Sequence, residues 1–288
     1  MYKRLIVFDI GLIQFRAIFS YLSQYKKGVE KIVSTQNTDV YSAKNILNQQ
    51  IRSREIYLAN PDYNFCNMIS GYCNVLKINL DDLIVCAQDF GSWRKEISKE
   101  YKAQRSDYLT KTIMESLFVT EEESKEWLQN QYDLFNDLYK KLDESLPFHW
   151  IKIYKDEADD IASCCIRFID AEEKILVTSD HDWYQLCSIN NTKIFSPYKR
   201  KFIEVKNPES ILIAKINNTD ISDNLLEKPK TEAEYELRKK IVNLLELPIY
   251  IETPVKERLA NLSIKNVYVN KIPFNSIKNK FKKIYNLT

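Results

Sequence analysis

Nine acidic residues of this 288-residue chain fall in five short segments: Asp9; Asp89; Glu157, Asp159 and Asp160; Asp180 and Asp182; Asp220 and Asp223. The first four segments each follow a short apolar run. Taken singly, an Asp after such a run is most often a turn residue or a helix N-cap. Asp159 and Asp160 also suit the positive end of the helix that follows them. Repetition of the pattern at four successive strand ends points elsewhere. Carboxylates packed together repel, and some must take up protons unless a cation is supplied. Oxygen-only donors select hard ions, Mg²⁺ or Mn²⁺. Two such ions about 4 Å apart activate water and stabilise the leaving oxygen in phosphodiester cleavage.

Cations lie close by in sequence. Trp93 to Arg105, WRKEISKEYKAQR, has a helical pattern. On one helix, Arg94, Ser98, Tyr101, Lys102 and Arg105 share a side, with Lys95 next to them. Those charges are expected to meet phosphates, and Tyr101 to stack on a base. Residues 261–288 hold six lysines and no Asp or Glu. Within them Lys278, Lys280, Lys282 and Lys283 are expected to face a nucleic-acid duplex, the bland alternative being a packed helix with a solvated lysine face.

The elements that must position these groups are legible in outline. Leu5–Phe8, Leu83–Ala87, Trp150–Tyr154 and Ile175–Val177 read as buried strands. Helices are expected over Ile13–Tyr25, from Tyr63, over Glu121–Leu142 and over 158–169. Lys193–Phe195 and Phe202–Val205 are expected to pair at a sheet edge. Residues 26–60 show no clear organisation, and the chain from Leu225 reads as helical. Alternation of strand and helix predicts an α/β fold with a mostly parallel central sheet flanked by helices. Ligands of such sheets bind beyond the carboxyl ends of the strands, where the acidic residues stand.

Several classes are disfavoured. Only four glycines are present, Gly11, Gly28, Gly71 and Gly91, too scattered for a phosphate-cradling loop. None of the six cysteines forms a CxxC pair, so a zinc site is not expected. The N-terminal apolar run is too short for a signal peptide, and no stretch reaches the length of a membrane span. A cytoplasmic protein with reduced thiols is expected, in the host cytoplasm if the source is viral. His149 and His181 are the only histidines, which argues against Ser–His–Asp chemistry. The net charge of +2 gives no global argument for nucleic acid, so any such argument rests on local clusters.

The segments FDIGLIQFRA (8–17), QDFGSWRKEISKEYKAQR (88–105), DEADDIA (156–162), TSDHDWYQL (178–186) and TDISDN (219–224) together resemble the flap endonuclease and 5′–3′ exonuclease family. The likeness is greatest to its phage branch with ribonuclease H. It implies a PIN/FEN-like nuclease domain over 1–225 with a helical gateway at about 93–140, and a small basic helical region over 226–288. It implies two metal ions. Asp89, Glu157, Asp159 and Asp180 would hold the first, with Asp9 beside it. Asp182, Asp220 and Asp223 would serve the second, with Asp160 between the ions or behind the direct ligands. Arg16, Lys102 and Arg105 match basic positions that meet the scissile phosphate. Two departures stand out. Thr219 replaces the family's usual glycine, and LLEKPKTEAEYELRKK lacks the glycines of the helix–two-turn–helix that grips duplex DNA.

The resemblance implies hydrolysis at a 5′ flap or 5′ end of DNA, or of an RNA–DNA hybrid such as a replication primer, alongside a replication partner protein and away from membranes. The competing readings are a noncatalytic nucleic-acid-binding protein that retains the fold, and a PIN-like ribonuclease.

Overall fold

A computed structural model describes residues 1–287. In chain order the elements are β1 (Tyr2–Asp9), α1 (Ile10–Gln36), α2 (Val40–Arg52), α3 (Pro61–Val75), β2 (Asp82–Gln88), α4 (Arg94–Ile97), α5 (Arg105–Leu117) and α6 (Glu121–Ser145). There follow β3 (Phe148–Lys152), α7 (Ala158–Phe168), β4 (Ala171–Val177), a 3₁₀ turn (Asp182–Ser188), β5 (Thr192–Ser196) and β6 (Lys201–Ile203). The chain closes with α8 (Pro208–Asn217), α9 (Glu232–Val242), α10 (Ile249–Ala260), a 3₁₀ turn (Val269–Lys271) and α11 (Asn275–Ile284). No helix among the described residues is long and apolar enough to cross a membrane.

The chain forms two compact units. The first comprises Met1–Leu12, Gly71–Ala103 and Lys141 onward, and it holds the sheet. Six strands run in the order β3-β2-β1-β4-β5-β6. Five are parallel, and β6 returns antiparallel to β5 at the edge. The expected fold class is therefore borne out, as is the edge pairing. Leu5, Ile6, Val7 and Phe8 are fully buried, because helices cover both faces of the inner strands and leave no polar face. The basic C-terminal stretch packs into this unit. Ile277 and Phe281 of α11 are buried, and the Phe281 ring meets Phe148 edge-on at 6.3 Å.

The chain leaves β1 for β2 and β3 on one side, then crosses to β4 on the other. β1 and β4 thus flank the point where strand order reverses, which is where open α/β sheets leave a crevice. Asp9 ends β1, and Asp180 lies three residues past the end of β4.

The second unit, Ile13–Ser70 and Gln104–Lys140, is helical. Its core includes Phe65 edge-on to Phe135 at 5.5 Å, and the Tyr139 hydroxyl donates to Gln14 Oε1 at 2.8 Å. Residues 26–60 are ordered here as the rest of α1, then α2 capped by Asp39, whose Oδ1 accepts from Ser42 N at 3.0 Å. Gly28 makes room for that pairing. A Cβ at position 28 would stand 3.0 Å from a Leu47 methyl.

One expected element is corrected. Residues 93–105 do not form a single helix. α4 ends at Ile97, Ser98 is extended, Lys102 takes a left-handed φ of 56°, and α5 begins only at Arg105. The face proposed from helical spacing therefore does not exist.

Candidate metal centre

Asp9 is carried to the rim by β1. Its Oδ1 accepts from Leu12 N at 3.0 Å and its Oδ2 from the Thr178 hydroxyl at 2.9 Å. Thr178 is the residue after β4, placed beside Asp9 by the Phe8–Val177 register. Asp89 follows β2 and reaches across to α7, accepting from Ala158 N at 2.6 Å. Asp159 on α7 accepts from the Trp183 indole at 2.7 Å. Asp180 accepts from Asp182 N at 2.9 Å. Gly11 sits between the first two groups. A Cβ there would lie 3.7 Å from Asp89 Oδ2 and 3.8 Å from Asp9 Oδ1.

The electrostatics show an excess of negative charge. Burial, reinforced by Asp159, Asp180 and Asp89, pushes the Asp9 carboxyl up to about 8. Asp89 rises to about 6 through desolvation and then the charge of Asp159. The hydrogen bond from Ala158 N and the charge of Lys102 hold that rise down. Burial and Asp159 also raise Asp180. Asp159 itself is lowered. Its burial works against ionisation, but Lys102, Arg94 and the Trp183 hydrogen bond outweigh it.

Protein cations hold the neighbouring carboxylates. Lys102 Nζ lies 2.5 Å from Glu157 Oε1 and 4.0 Å from Asp223 Oδ1. Its left-handed backbone lets its own N–H donate to Asp223 O at 3.2 Å. Lys215, on α8, pairs with three acids at once: Asp182, Asp220 at 2.5 Å and Asp223 at 2.9 Å. Asp220 and Asp223 are presented by a tight turn, closed by an antiparallel bridge between Asp220 and Leu225, with Asn224 left-handed. Burial would raise Asp220, but hydrogen bonds from Lys215 and Ser222 hold it down at about 2. Asp182 stands at about 7, raised by burial and by Asp180 against the pull of Lys215.

Arg94 and Tyr101 require correction. The sequence pattern directs both toward nucleic acid, and both are buried. Arg94 donates to both oxygens of Asp160, to Glu157 Oε2 at 2.7 Å, and through Nε to Ile241 O at 2.7 Å. The Tyr101 hydroxyl donates to Glu157 Oε2 at 3.3 Å. Glu157 thus receives hydrogen bonds from three side chains. Asp160 has no exposure, and it also accepts from Trp93 Nε1 at 3.2 Å and from Glu157 N at 3.0 Å. It fixes the start of α7 and has no exposed oxygen for a metal ion, so of its two expected places it takes the one behind the direct ligands and not the one between the ions. A salt link inside the protein is what a buried guanidinium requires, since an unpaired charge there is prohibitively costly.

The other sequence candidates are distributed as follows. Lys95 is exposed on α4. Arg16, on α1, and the exposed Arg105, at the start of α5, belong to the helical unit. Lys280 and Lys283 are exposed on α11, and Lys278 and Lys282 are half-buried there. His149 is structural, with Nε2 2.7 Å from Ser263 O, and His181 lies against Tyr184. Sequence reading missed Lys215, Thr178 and Trp183. The available signal for Lys215 was a lone cation in the apolar run ILIAKI, five residues before Asp220.

Among the described residues no three of these acids are drawn into one coordination sphere. The donor set nevertheless fits one divalent ion at Asp9, Asp89, Asp159 and Asp180. These are all-oxygen groups, three of the four raised by burial and then by one another's charge, and none has a protein ammonium in direct contact. The group of Asp182, Asp220 and Asp223 is different, because the Lys215 ammonium already stands among its oxygens.

Residues 39–215 match the family described as 5′-3′ exonuclease, N-terminal resolvase-like domain. Ribonuclease H of Enterobacteria phage T4 is 26% identical over 139 residues, which are 47% of this chain and 42% of that protein. The match thus spans about two fifths of that relative's length. Among solved structures, the bacteriophage T5 flap endonuclease in complex with DNA and metal ions aligns with a TM-score of 0.45 at 16% identity. That alignment covers 98% of each chain. A second T5 structure, with bound metal ions, aligns at 0.42 and 16%, covering 98% of this chain and 97% of that one. With its family match covering more than half of its length, the chain belongs to the 5′-3′ exonuclease family.

Proposed function

We propose that the protein is a divalent-metal-dependent 5′ nuclease that hydrolyses phosphodiester bonds near a 5′ end or 5′ flap of DNA. The observation that carries this reading is the group of Asp9, Asp89, Asp159 and Asp180 at the switch point of the sheet. Its negative charge is left for an outside cation, while Lys102 stands at its border on Glu157. Bound Mg²⁺ or Mn²⁺ would supply a Lewis acid and a water of lowered pKa. The residues of the chain do the rest. Asp9 and Asp180 hold the charge, Thr178 and Trp183 orient carboxylates, and Lys102 offers an ammonium to a phosphate. Arg16 and Arg105 are further phosphate ligands in this reading, and Lys95 and the α11 lysines supply longer-range attraction.

The proposal extends to two ions, the second at Asp182, Asp220 and Asp223 with Lys215 withdrawn. Further extensions are RNA–DNA hybrids as substrate, a replication partner, and a site of action in the cytoplasm of a host cell. Incubating a 5′-labelled flap substrate with the protein in Mg²⁺ and in chelator tests the core of it. Cleavage is expected in Mg²⁺ only, and full cleavage in chelator would refute it. A noncatalytic nucleic-acid-binding protein is the second reading, favoured by Lys215 standing where the second ion would be. It predicts binding of the same substrate without any product in Mg²⁺ or Mn²⁺.

A further inference from the structure

Two aromatic rings stand in solvent directly beside the carboxylate rim. Phe90 follows Asp89, and Tyr154 precedes Glu157 by three residues. They are 48% and 70% exposed. Their rings meet edge to face, with centroids 5.8 Å apart and planes at 77°. Lys152 Nζ lies 4.8 Å from the Phe90 centroid, and Lys155 Nζ lies 5.6 Å from that of Tyr154. Lys155 also pairs with Glu96, while Lys152 is exposed.

The backbone beneath the rings is rigidly built. Phe90 N donates to Asp156 O at 2.9 Å, Lys155 N to Phe90 O at 2.8 Å, and Trp93 N to Lys155 O at 2.8 Å. Gly91 suits this loop through its φ of +98°, a conformation that favours glycine. A left-handed Lys155 (φ 69°) completes the turn. The rings are thus held out on a braced double loop, which limits the entropy lost when a ligand stacks on them.

The geometry points to the Phe90–Tyr154 pair as a stacking platform for an unpaired nucleotide of the substrate strand, with Lys152 and Lys155 attracting its phosphates. Flat π-faces accept any base, and flanking ammonium groups match a polyanion. A docking site for an apolar protein segment fits less well, because a lysine stands over each ring. The inference rests on the nuclease reading and places one strand of its substrate on the β2–β3 side of the rim.

The test uses a 5′-flapped duplex carrying 2-aminopurine in its single-stranded part, and a blunt duplex of the same sequence. Binding is measured in chelator so that no turnover intervenes. Phe90→Ala and Tyr154→Ala are each expected to weaken flap binding by about tenfold and to relieve quenching of the probe. Blunt-duplex affinity and thermal unfolding should not change, and Tyr154→Trp should retain flap binding. Equal affinities for both substrates in all variants, as a protein-docking role predicts, would overturn the platform. Equal losses on flap and blunt duplex would overturn it too. Cleavage by the wild type in Mg²⁺, followed in parallel, judges the nuclease reading separately. A protein that cleaves while its alanine variants bind both substrates normally loses the platform and keeps the activity.

Discussion

Arg94 grips Asp160 with both arms of its guanidinium, Nη2 to Oδ1 at 2.7 Å and Nη1 to Oδ2 at 3.0 Å, and neither residue is more than 1% exposed. Its third direction, Nε to Ile241 O, ties the end of α9 to the start of α7. Glu157 and Asp160, which flank Asp159 at the start of α7, are therefore anchored to the C-terminal part of the same unit.

Arg94→Met is expected to lower unfolding free energy by about 3–5 kcal/mol, because it strands two buried carboxylates. Lys95→Gln, one residue on and exposed, should change stability by less than about 0.5 kcal/mol. Chemical denaturation of the two variants checks the contrast. Equal stabilities would mean that the clamp has no structural role.

Lys215→Met should destabilise the protein in chelator by about 3 kcal/mol, since Asp182, Asp220 and Asp223 lose their shared cation. The same change should enlarge the rise in Tm caused by Mg²⁺, because a second ion no longer competes with an ammonium. The acid limb should also move. Asp220 is held at about 2, so its contribution is present above its unfolded value and is lost as pH falls through about 2. Without Lys215 that loss is expected at higher pH. A thermal-shift series over Mg²⁺ and pH reads both effects.

Asp9→Asn removes a carboxyl that burial and three neighbours oppose, while keeping a shape that fits Leu12 N and Thr178. In chelator the variant should be as stable as the wild type or more so. Mg²⁺ should raise the Tm of the wild type much more than that of the variant, and cleavage should drop at least about 100-fold. A Mg²⁺-induced shift identical in both proteins would place the ion elsewhere.

Asp156 supplies a pH signature outside the proposed ligands. It is buried, its Oδ2 has no hydrogen-bond partner, and its carboxyl is pushed up to about 7 by burial and by Asp160, against Arg94. The folded state therefore binds more protons than the unfolded state between about 4 and about 7, so stability falls as pH rises across that window. Asp156→Asn should lessen this slope, to which Asp9, Asp89 and Asp182 also contribute, and gain about 1–3 kcal/mol at pH 8. Urea melts at pH 5 and pH 8 decide it, and a parallel pH dependence in both proteins would contradict it.

Replacing Lys278, Lys280, Lys282 and Lys283 with Gln leaves Ile277 and Phe281 in place, so α11 should still pack. If these lysines meet a duplex, the slope of log affinity against log salt should shrink by about 0.9 for each phosphate they had neutralised. An unchanged slope would leave them as a solvated face.

Much of this protein is written locally. Buried apolar runs such as Leu5–Phe8 announce parallel strands, and an acid after each run lands at a carboxyl end whatever the rest of the chain does. That is why Asp9, Asp89, Glu157, Asp159 and Asp180 could be expected at one rim of the sheet, although only the structure shows Glu157 taken up by Arg94, Tyr101 and Lys102. Local signals also misled where nothing marked a break. Residues 93–105 hold no glycine or proline, yet the helix stops at Ser98 and the chain turns left-handed at Lys102. The backbone there is set by what Arg94, Tyr101 and Lys102 bind, and those partners lie 55 to 147 residues away. A charged or aromatic side chain on a short segment reads as solvent-facing until such partners are known. Lys215 hid for the converse reason: its helix is apolar, and although Asp220 and Asp223 follow closely in sequence, Asp182 lies 33 residues before it. Strand ends, and hence the acids, are fixed by periodicity and burial. Which cation neutralises which carboxylate depends on how segments far apart in sequence come together, and only the tertiary structure decides that.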